Sequence, residues 1–234
     1  MIGCNMRQRR LQCALFDLDN TLYPEHVGVM QMVSRRINEY MSSRLGMDEE
    51  TINKLRPRYW REYGTTMRGL MIEFQVDPDD YLAYVHDFSV EEFLVPNEEL
   101  NRALARLPWR KIIFTNSPRE HAQQVLKALG IAHHFERIFD IRDSGYIGKP
   151  HHAAYQCLLR VLGVEAKECI TFDDALPNLR TAGELGMVTV LVGATEKADG
   201  VDWVIQQIEQ SAAVACQIVS AYEGTHVAHK QGNG

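Results

Sequence analysis

Phe16-Asp17-Leu18-Asp19-Asn20-Thr21-Leu22-Tyr23 is the stretch whose reading decides the rest of the chain. It follows Leu11-Gln12-Cys13-Ala14-Leu15, a short apolar run that reads as a buried strand. On extended backbone, residues two apart face the same side, with α-carbons roughly 7 Å apart. Asp17 and Asp19 therefore share a side, and Leu18 points the other way into a core. Two acids at the end of a buried strand repel each other unless a cation neutralises them. One expectation is a nucleophile and a proton-transfer partner gathered around a divalent metal. The plain alternative is a strand-end turn built by Asp and Asn.

Outward from that stretch the rhythm changes twice. Val27 to Leu45 carries apolar residues at helical spacing and closes on Gly46. Asp48 caps a second expected helix through Tyr63, with Pro57 as a kink or break. Further helices are expected from Thr65 to Phe74 and around Tyr81 to Val85, so residues 25 to 90 carry no strand signal. Beyond residue 97 strands and helices alternate. Lys111 to Phe114, Ile138-Phe139, Cys169 to Phe172 and Val188 to Val192 read as strands. Ser117-Pro118-Arg119-Glu120 reads as a capping box opening a helix that ends at Gly130. Trp203 to Tyr222 reads as a last helix and 223–234 as a disordered polar tail. The expected fold class is α/β, a Rossmann-like doubly wound parallel sheet covered on both faces. Its core comprises residues 1–24 and 91–222, and a helical cap of residues 25–90 is inserted after the first strand.

Composition narrows the function classes. Hydrophobic content of 45% with 24% charged residues is that of an ordinary globular chain. A net charge of −6 with no basic run argues against a nucleic-acid partner. No apolar run reaches membrane-span length, and the arginines of Met1 to Arg10 are not followed by a secretory apolar region. Five cysteines, odd in number and without C-x-x-C spacing, fit the reducing cytoplasm.

Ligands of open parallel sheets sit beyond the carboxyl ends of the strands. There this chain places Asp17 and Asp19, then Thr115-Asn116, then Asp173-Asp174 with Asn178 a turn later, while Lys149 stands in a loop before a helix. Taken singly, Thr115-Asn116 is a turn, Asp173-Asp174 a solvated pair and Lys149 a surface lysine. Their common edge on one sheet favours a joint role. It gathers carboxylates for a hard cation, donors for an oxyanion and a fixed positive charge.

Those residues, in that order, resemble the four motifs of the haloacid dehalogenase (HAD) superfamily. Asp17-Leu18-Asp19-Asn20-Thr21 matches D-x-D-x-[TV], and Thr115 the Thr or Ser after a second apolar strand. Lys149 before Pro150 matches the lysine motif, and Asp173-Asp174 the acidic pair. Within the insertion, Tyr63-Gly64-Thr65-Thr66-Met67-Arg68-Gly69-Leu70 and Asp77-Pro78-Asp79-Asp80-Tyr81 are similar to the cap of the pyrimidine 5′-nucleotidase branch. Ala175 stands where related sequences often carry Ser or Thr, which removes a hydroxyl from the support of the acidic pair.

The resemblance implies a Mg²⁺-dependent phosphatase. Asp17 would be nucleophile and metal ligand, and Asp19 would transfer protons and offer its backbone carbonyl to the metal. Asp174 and Asp173 would complete the metal shell, while Thr115, the backbone around Asn116 and Lys149 would bind the phosphate. Dehalogenases of this fold lack the second acid, so Asp19 favours phosphoryl transfer. Tyr23, Tyr63, Thr66 and Arg68 are the candidate substrate-facing residues; the plain reading of Tyr59, Trp60 and Tyr63 is packing inside the cap. The implied partner is a small phosphorylated metabolite, most specifically a nucleoside monophosphate. Sugar phosphates, phosphoglycolate and a non-catalytic binding role are the alternatives. Gly148-Lys149-Pro150 is not a P-loop, because the glycines are too close and Pro150 replaces the metal-binding hydroxyl. The doublets His133-His134 and His151-His152, with His226 and His229, read as surface residues rather than zinc ligands.

Overall fold

The computed structural model describes residues 11–228. Six strands form one parallel sheet: β1 (Cys13–Phe16), β2 (Arg110–Phe114), β3 (Arg137–Phe139), β4 (Cys169–Asp173), β5 (Val188–Val192) and β6 (Trp203–Ile205). Their order is β3-β2-β1-β4-β5-β6. The direction in which successive strands are added reverses between β1 and β4, which opens a crevice at their carboxyl ends. Leu15 lies opposite both Ile112 and Thr171, so β1 is the central strand.

Both faces of β1 are buried, and the alternation of its side chains explains why. Ala14 and Phe16 join one core with Ile113, Ile170 and Phe172, whereas Cys13 and Leu15 join another with Ile112, Phe114 and Cys169. Phe16 stacks on Phe172 with ring centroids 4.7 Å apart. Helices α5 (Glu98–Ala105), α6 (Arg119–Ala128) and α9 (Ser211–Ala228) cover the first face; α7 (His152–Leu162) and α8 (Leu176–Glu184) cover the second.

Between β1 and β2 lies the helical insertion: α1 (Val29–Leu45), α2 (Glu49–Tyr63), α3 (Thr66–Phe74) and α4 (Pro78–Val85). The expected Asp48 cap is present, and Thr65 and Asp77 cap the next two helices. The Asp48 carboxylate accepts from the Thr51 N–H at 2.8 Å, Thr65 from Arg68 N–H at 3.1 Å and Asp77 from Asp79 N–H at 2.9 Å. These helices bury a small core of their own around Met41, Tyr59, Leu70 and Val85. At its centre a Cβ added to Gly69 would stand 2.2 Å from the fully buried Tyr59 ring. Gly69→Ala is therefore expected to destabilise the protein by about 1–3 kcal/mol through overpacking, readable as a lower urea midpoint. An unchanged midpoint would mean that the ring yields without cost.

Four expectations need correction. Trp203 begins a strand and not a helix: three apolar residues carry no usable period, and pairing with β5 decides their state. The last helix starts at Ser211 and continues through Ala228, so 223–228 are helical, because propagation past an established turn costs little. The rest of the expected tail, 229–234, lies outside the described residues, as do Met1 to Arg10. Of the kink or break expected at Pro57, the break does not occur, because helix α2 runs through it to Tyr63. Ser117 is not a cap for α6, which starts after Pro118; the Arg119 N–H instead donates to Asp140 at 2.9 Å, leaving the Ser117 hydroxyl for another partner.

Candidate active site

The ladder carries β1 one step beyond its last residue, with the Asp17 N–H donating to Phe172 O at 2.9 Å. Asn20 then takes a left-handed conformation, φ 60°, and the chain turns off the sheet. That geometry sends the two acids into different surroundings.

Asp17 meets positive charge and other acids. Lys149 Nζ lies 2.7 Å from Asp17 Oδ1 and 2.8 Å from Asp173 Oδ2, with both its ammonium and Asp173 buried. Carboxylate oxygens of Asp17, Asp173 and Asp174 lie within 4.8 Å of one another. The Thr21 hydroxyl is 3.2 Å from both Asp17 Oδ2 and Asp174 Oδ1 and can donate to one at a time. Burial pushes the Asp17 carboxyl well above the usual carboxylate range; Lys149 opposes this, while the neighbouring acids add to it. Asp174 is pushed up to about 6 by burial and by Asp173. Burial acting alone would discharge Lys149, but Asp17 and Asp173 overcome it and hold its pKa above the ordinary lysine value.

Asp19 meets donors. Its carboxylate accepts from Tyr23 OH at 2.5 Å and Ser117 Oγ at 2.5 Å, and His121 Nε2 lies 3.0 Å away. Burial would raise its pKa, but His121, Ser117 and Tyr23 together hold it well below the carboxylate range. Two acids two residues apart are thus driven in opposite directions.

The loop carrying Lys149 is held by Asn116, whose side chain accepts from the Lys149 N–H at 2.8 Å and donates to its carbonyl at 2.9 Å. A Cβ on Gly148 would come within 2.5 Å of Asn116 Oδ1, so this clamp closes only on glycine. Asn116 thus uses both ends of its side-chain amide to position Lys149, whereas the phosphate contact expected here belongs to the backbone around Asn116. Thr115 is buried and faces the cavity, its Oγ1 accepting from the Ser117 N–H at 3.0 Å. Asp173 is supported by the Ala175 N–H at 2.9 Å and by Asn178 Nδ2 at 3.0 and 3.1 Å. The hydroxyl that Ala175 lacks is therefore replaced by its own backbone and by a neighbour one turn on.

A cavity of about 330 Å³ lies between this cluster and the helical insertion. Asp17, Asp19, Thr115, Asn116, Lys149 and Asp174 line its floor. Of the four candidate substrate-facing residues, Thr66 lines it. Tyr23 is 3% exposed and lies beneath Asp19, because its hydroxyl finds the carboxylate there. Tyr63 turns its hydroxyl to Glu73 at 3.3 Å, and neither Tyr63 nor Arg68 is among the lining residues. Arg56 and Trp60, on α2, line it instead. Helical spacing from Asp48 puts Arg56 and Trp60 on one face without choosing which way that face turns. Sequence reasoning misses Ser117 and His121 as well, because Ser-Pro-Arg-Glu carries the signature of a helix cap.

Three carboxylates with this spacing suit a hard divalent cation, which prefers oxygen ligands. Among the described residues they are the only His, Cys, Asp or Glu group so placed, and the histidine doublets form no such cluster. No described helix is long and apolar enough to cross a membrane.

Comparison with known proteins agrees with this architecture. The chain is 28% identical over 191 residues to Phosphate metabolism protein 8 of Saccharomyces cerevisiae, an alignment covering 75% of this chain and 60% of that protein. It thus spans less than two thirds of that relative. Its fold is similar to L-2-haloacid dehalogenase from Xanthobacter autotrophicus with chloropropionic acid covalently bound, at TM-score 0.58 and 15% identity, covering 88% of this chain and 98% of that one. It is also similar to the HAD-hydrolase YfnB from Bacillus subtilis bound to magnesium, at TM-score 0.57 and 16% identity, covering 88% and 99%. Residues 11–186, from β1 through the acidic pair and α8, match the haloacid dehalogenase-like hydrolase family, and the chain belongs to it.

Proposed function

We propose that this chain is a Mg²⁺-dependent phosphomonoester hydrolase of the cytoplasm, of the pyrimidine 5′-nucleotidase type, with residues 25–90 acting as its cap. The observation that carries the reading is the opposite treatment of two neighbouring acids. Asp17 faces Lys149 and the acidic pair, whereas Asp19 is held by three donors. A nucleophile and a proton carrier need such different surroundings. A dehalogenase has no use for Asp19, because a halide leaves without a proton.

In the proposed reaction an Asp17 oxygen attacks phosphorus and the ester P–O bond breaks, leaving an aspartyl-phosphate. Asp19 delivers a proton to the departing alkoxide; the incoming phosphate's negative charge raises its otherwise low proton affinity. Asp19 then takes a proton from a water that attacks phosphorus, releasing inorganic phosphate and restoring the Asp17 carboxylate. Lys149 offsets charge on the transferring group, and Thr115 still has its hydroxyl hydrogen to donate to it. Asp17, Asp173 and Asp174, with the Asp19 backbone carbonyl, would hold Mg²⁺, which when bound polarises the phosphoryl group and neutralises the crowded acids. Arg142 ties the cap to the core, reaching Asp79 at 2.7 Å and Glu120 at 2.8 Å, which favours a covered, water-poor site.

The name of the yeast relative supports phosphate chemistry without naming a substrate. The testing experiment is hydrolysis of uridine and cytidine monophosphates, ribose 5-phosphate and phosphoglycolate with Mg²⁺ and with EDTA. Turnover is expected with Mg²⁺ and lost with EDTA, the pyrimidine nucleotides being preferred. Inactivity toward the whole panel would remove the phosphatase reading in favour of a binding role, and equal rates would remove the nucleotidase one.

A further inference from the structure

Above the acids the cavity wall changes character. Met30, Val33, Ile37, Met67, Leu82 and Val85 make it largely apolar, and Arg56 is the one arginine or lysine that the described insertion contributes to the lining. Its Nη1 is spent on protein acceptors, reaching Ser34 O at 3.2 Å, Ser34 Oγ at 3.0 Å and Asn38 Oδ1 at 2.6 Å. Its Nε is buried with no hydrogen-bond partner. Arg56 is half-buried, and the bonds of Nη1 to Ser34 and Asn38 fix its guanidinium at the cavity wall; burial presses its pKa downward.

One helical turn on, at i+4 and on the same face, stands Trp60. It also lines the cavity and is 57% exposed, whereas Tyr81, the aromatic that α4 brings to the same wall, is buried. An exposed indole beside a fixed guanidinium is a platform for a flat ring, with a donor at its edge. A cavity of about 330 Å³ is small among ligand sites, which leaves room for little beyond one ring and its linker to the phosphate.

We propose that Arg56 is a specificity-determining residue: it donates to a carbonyl oxygen on a planar ring at the end of the substrate far from the phosphate, while Trp60 stacks on that ring. The assignment rests on the phosphatase reading for the phosphate end only. It goes beyond that reading by locating ring recognition on α2, where neither Tyr63 nor Arg68 takes part.

The test compares wild type with Arg56→Met and Arg56→Lys. Two quantities are measured: the ratio of kcat/KM for uridine monophosphate to that for phenyl phosphate, and the Kd for uridine by calorimetry. Phenyl phosphate has a ring without a carbonyl; uridine has the ring without a phosphate. In wild type the ratio should exceed unity. In Arg56→Met it should fall about 10- to 100-fold, with a comparable weakening of uridine. Arg56→Lys, which retains the charge and the stem but loses the fork, should recover only part of the ratio and serves if Met disturbs the fold. A ratio within twofold of wild type in both variants, with unchanged uridine binding, overturns the proposal. So does a wild type without preference for the nucleotide. If no ester is turned over but Arg56→Met weakens uridine, the phosphatase reading fails and the Arg56 assignment stands. If uridine does not bind and no ester is turned over, both fall.

Discussion

Asp17→Asn is expected to lower kcat by on the order of 10³-fold or more while leaving the fold as stable as before, or more stable. The first half follows from loss of the attacking oxygen in the proposed reaction. The second half follows from electrostatics. The folded-state pKa of Asp17 is raised above its unfolded value by burial and neighbouring acids. Ionising it on folding therefore costs free energy, a cost absent at low pH and present once pH exceeds the folded value. An amide removes that cost, and Lys149 still has Asp173 at 2.8 Å. Melting temperatures of wild type and variant should converge toward about pH 4, near the unfolded value, with the variant equal or higher at neutral pH. Near-normal Mg²⁺-dependent turnover by Asp17→Asn would sink the nucleophile assignment. A large drop in melting temperature at neutral pH would sink the electrostatic account.

Asp19→Asn, two residues away, should behave in the opposite way. The pKa of Asp19 is depressed in the fold, so its stabilising contribution is present above the unfolded value of about 3.9 and lost as pH falls through the folded value. An amide has one acceptor oxygen where the carboxylate has two, and it meets Tyr23, Ser117 and His121. At least one buried donor is left unmatched, at a cost of about 1.5–3 kcal/mol at neutral pH. In turnover the variant should lose about 10²- to 10⁴-fold on alkyl phosphates. The loss in kcat/KM, which reports formation of the aspartyl-phosphate, should be much smaller on p-nitrophenyl phosphate, whose leaving group departs without a proton. The later hydrolysis step slows alike for both substrates. Equal losses in kcat/KM on both substrates would show that Asp19 does not serve the leaving group. A variant as stable as wild type at neutral pH would deny that the three donors act on a charge.

The two substitutions separate readings that local sequence leaves together. Asp17 and Asp19 look equivalent on an extended strand, where both fall on one side. The ladder ends at the Asp17 N–H, and the left-handed Asn20 then redirects the chain. From there one acid meets β4 and the Lys149 loop, and the other meets the start of α6. Ser117 and His121 illustrate the same difficulty. Ser-Pro-Arg-Glu is a sound capping pattern, yet the Ser117 hydroxyl has a charged acceptor 98 residues earlier in the chain, and a carboxylate outcompetes a backbone N–H.

Local spelling nonetheless determined much. Buried strands, glycine stops, the Asp48 cap of the insertion, and acids or hydroxyls at successive strand ends are all properties of neighbouring residues. They were legible because each depends on the backbone within a few positions. From them came the doubly wound parallel sheet, the helical insertion and the set Asp17, Asp19, Thr115, Lys149, Asp173 and Asp174. What only the tertiary structure decided depends on residues far apart in the chain. Strand β6 exists through its pairing with β5. Tyr23 lies buried beneath Asp19, and Arg56 with Trp60 lines the cavity where Tyr63 and Arg68 do not. The period of a helix shows which residues share a face, but the choice of face toward the sheet edge is made by how α1 to α4 bury their common core. The opening stretch therefore specified two acids and the chemistry they suit, whereas their different surroundings were set by the elements that fold against them.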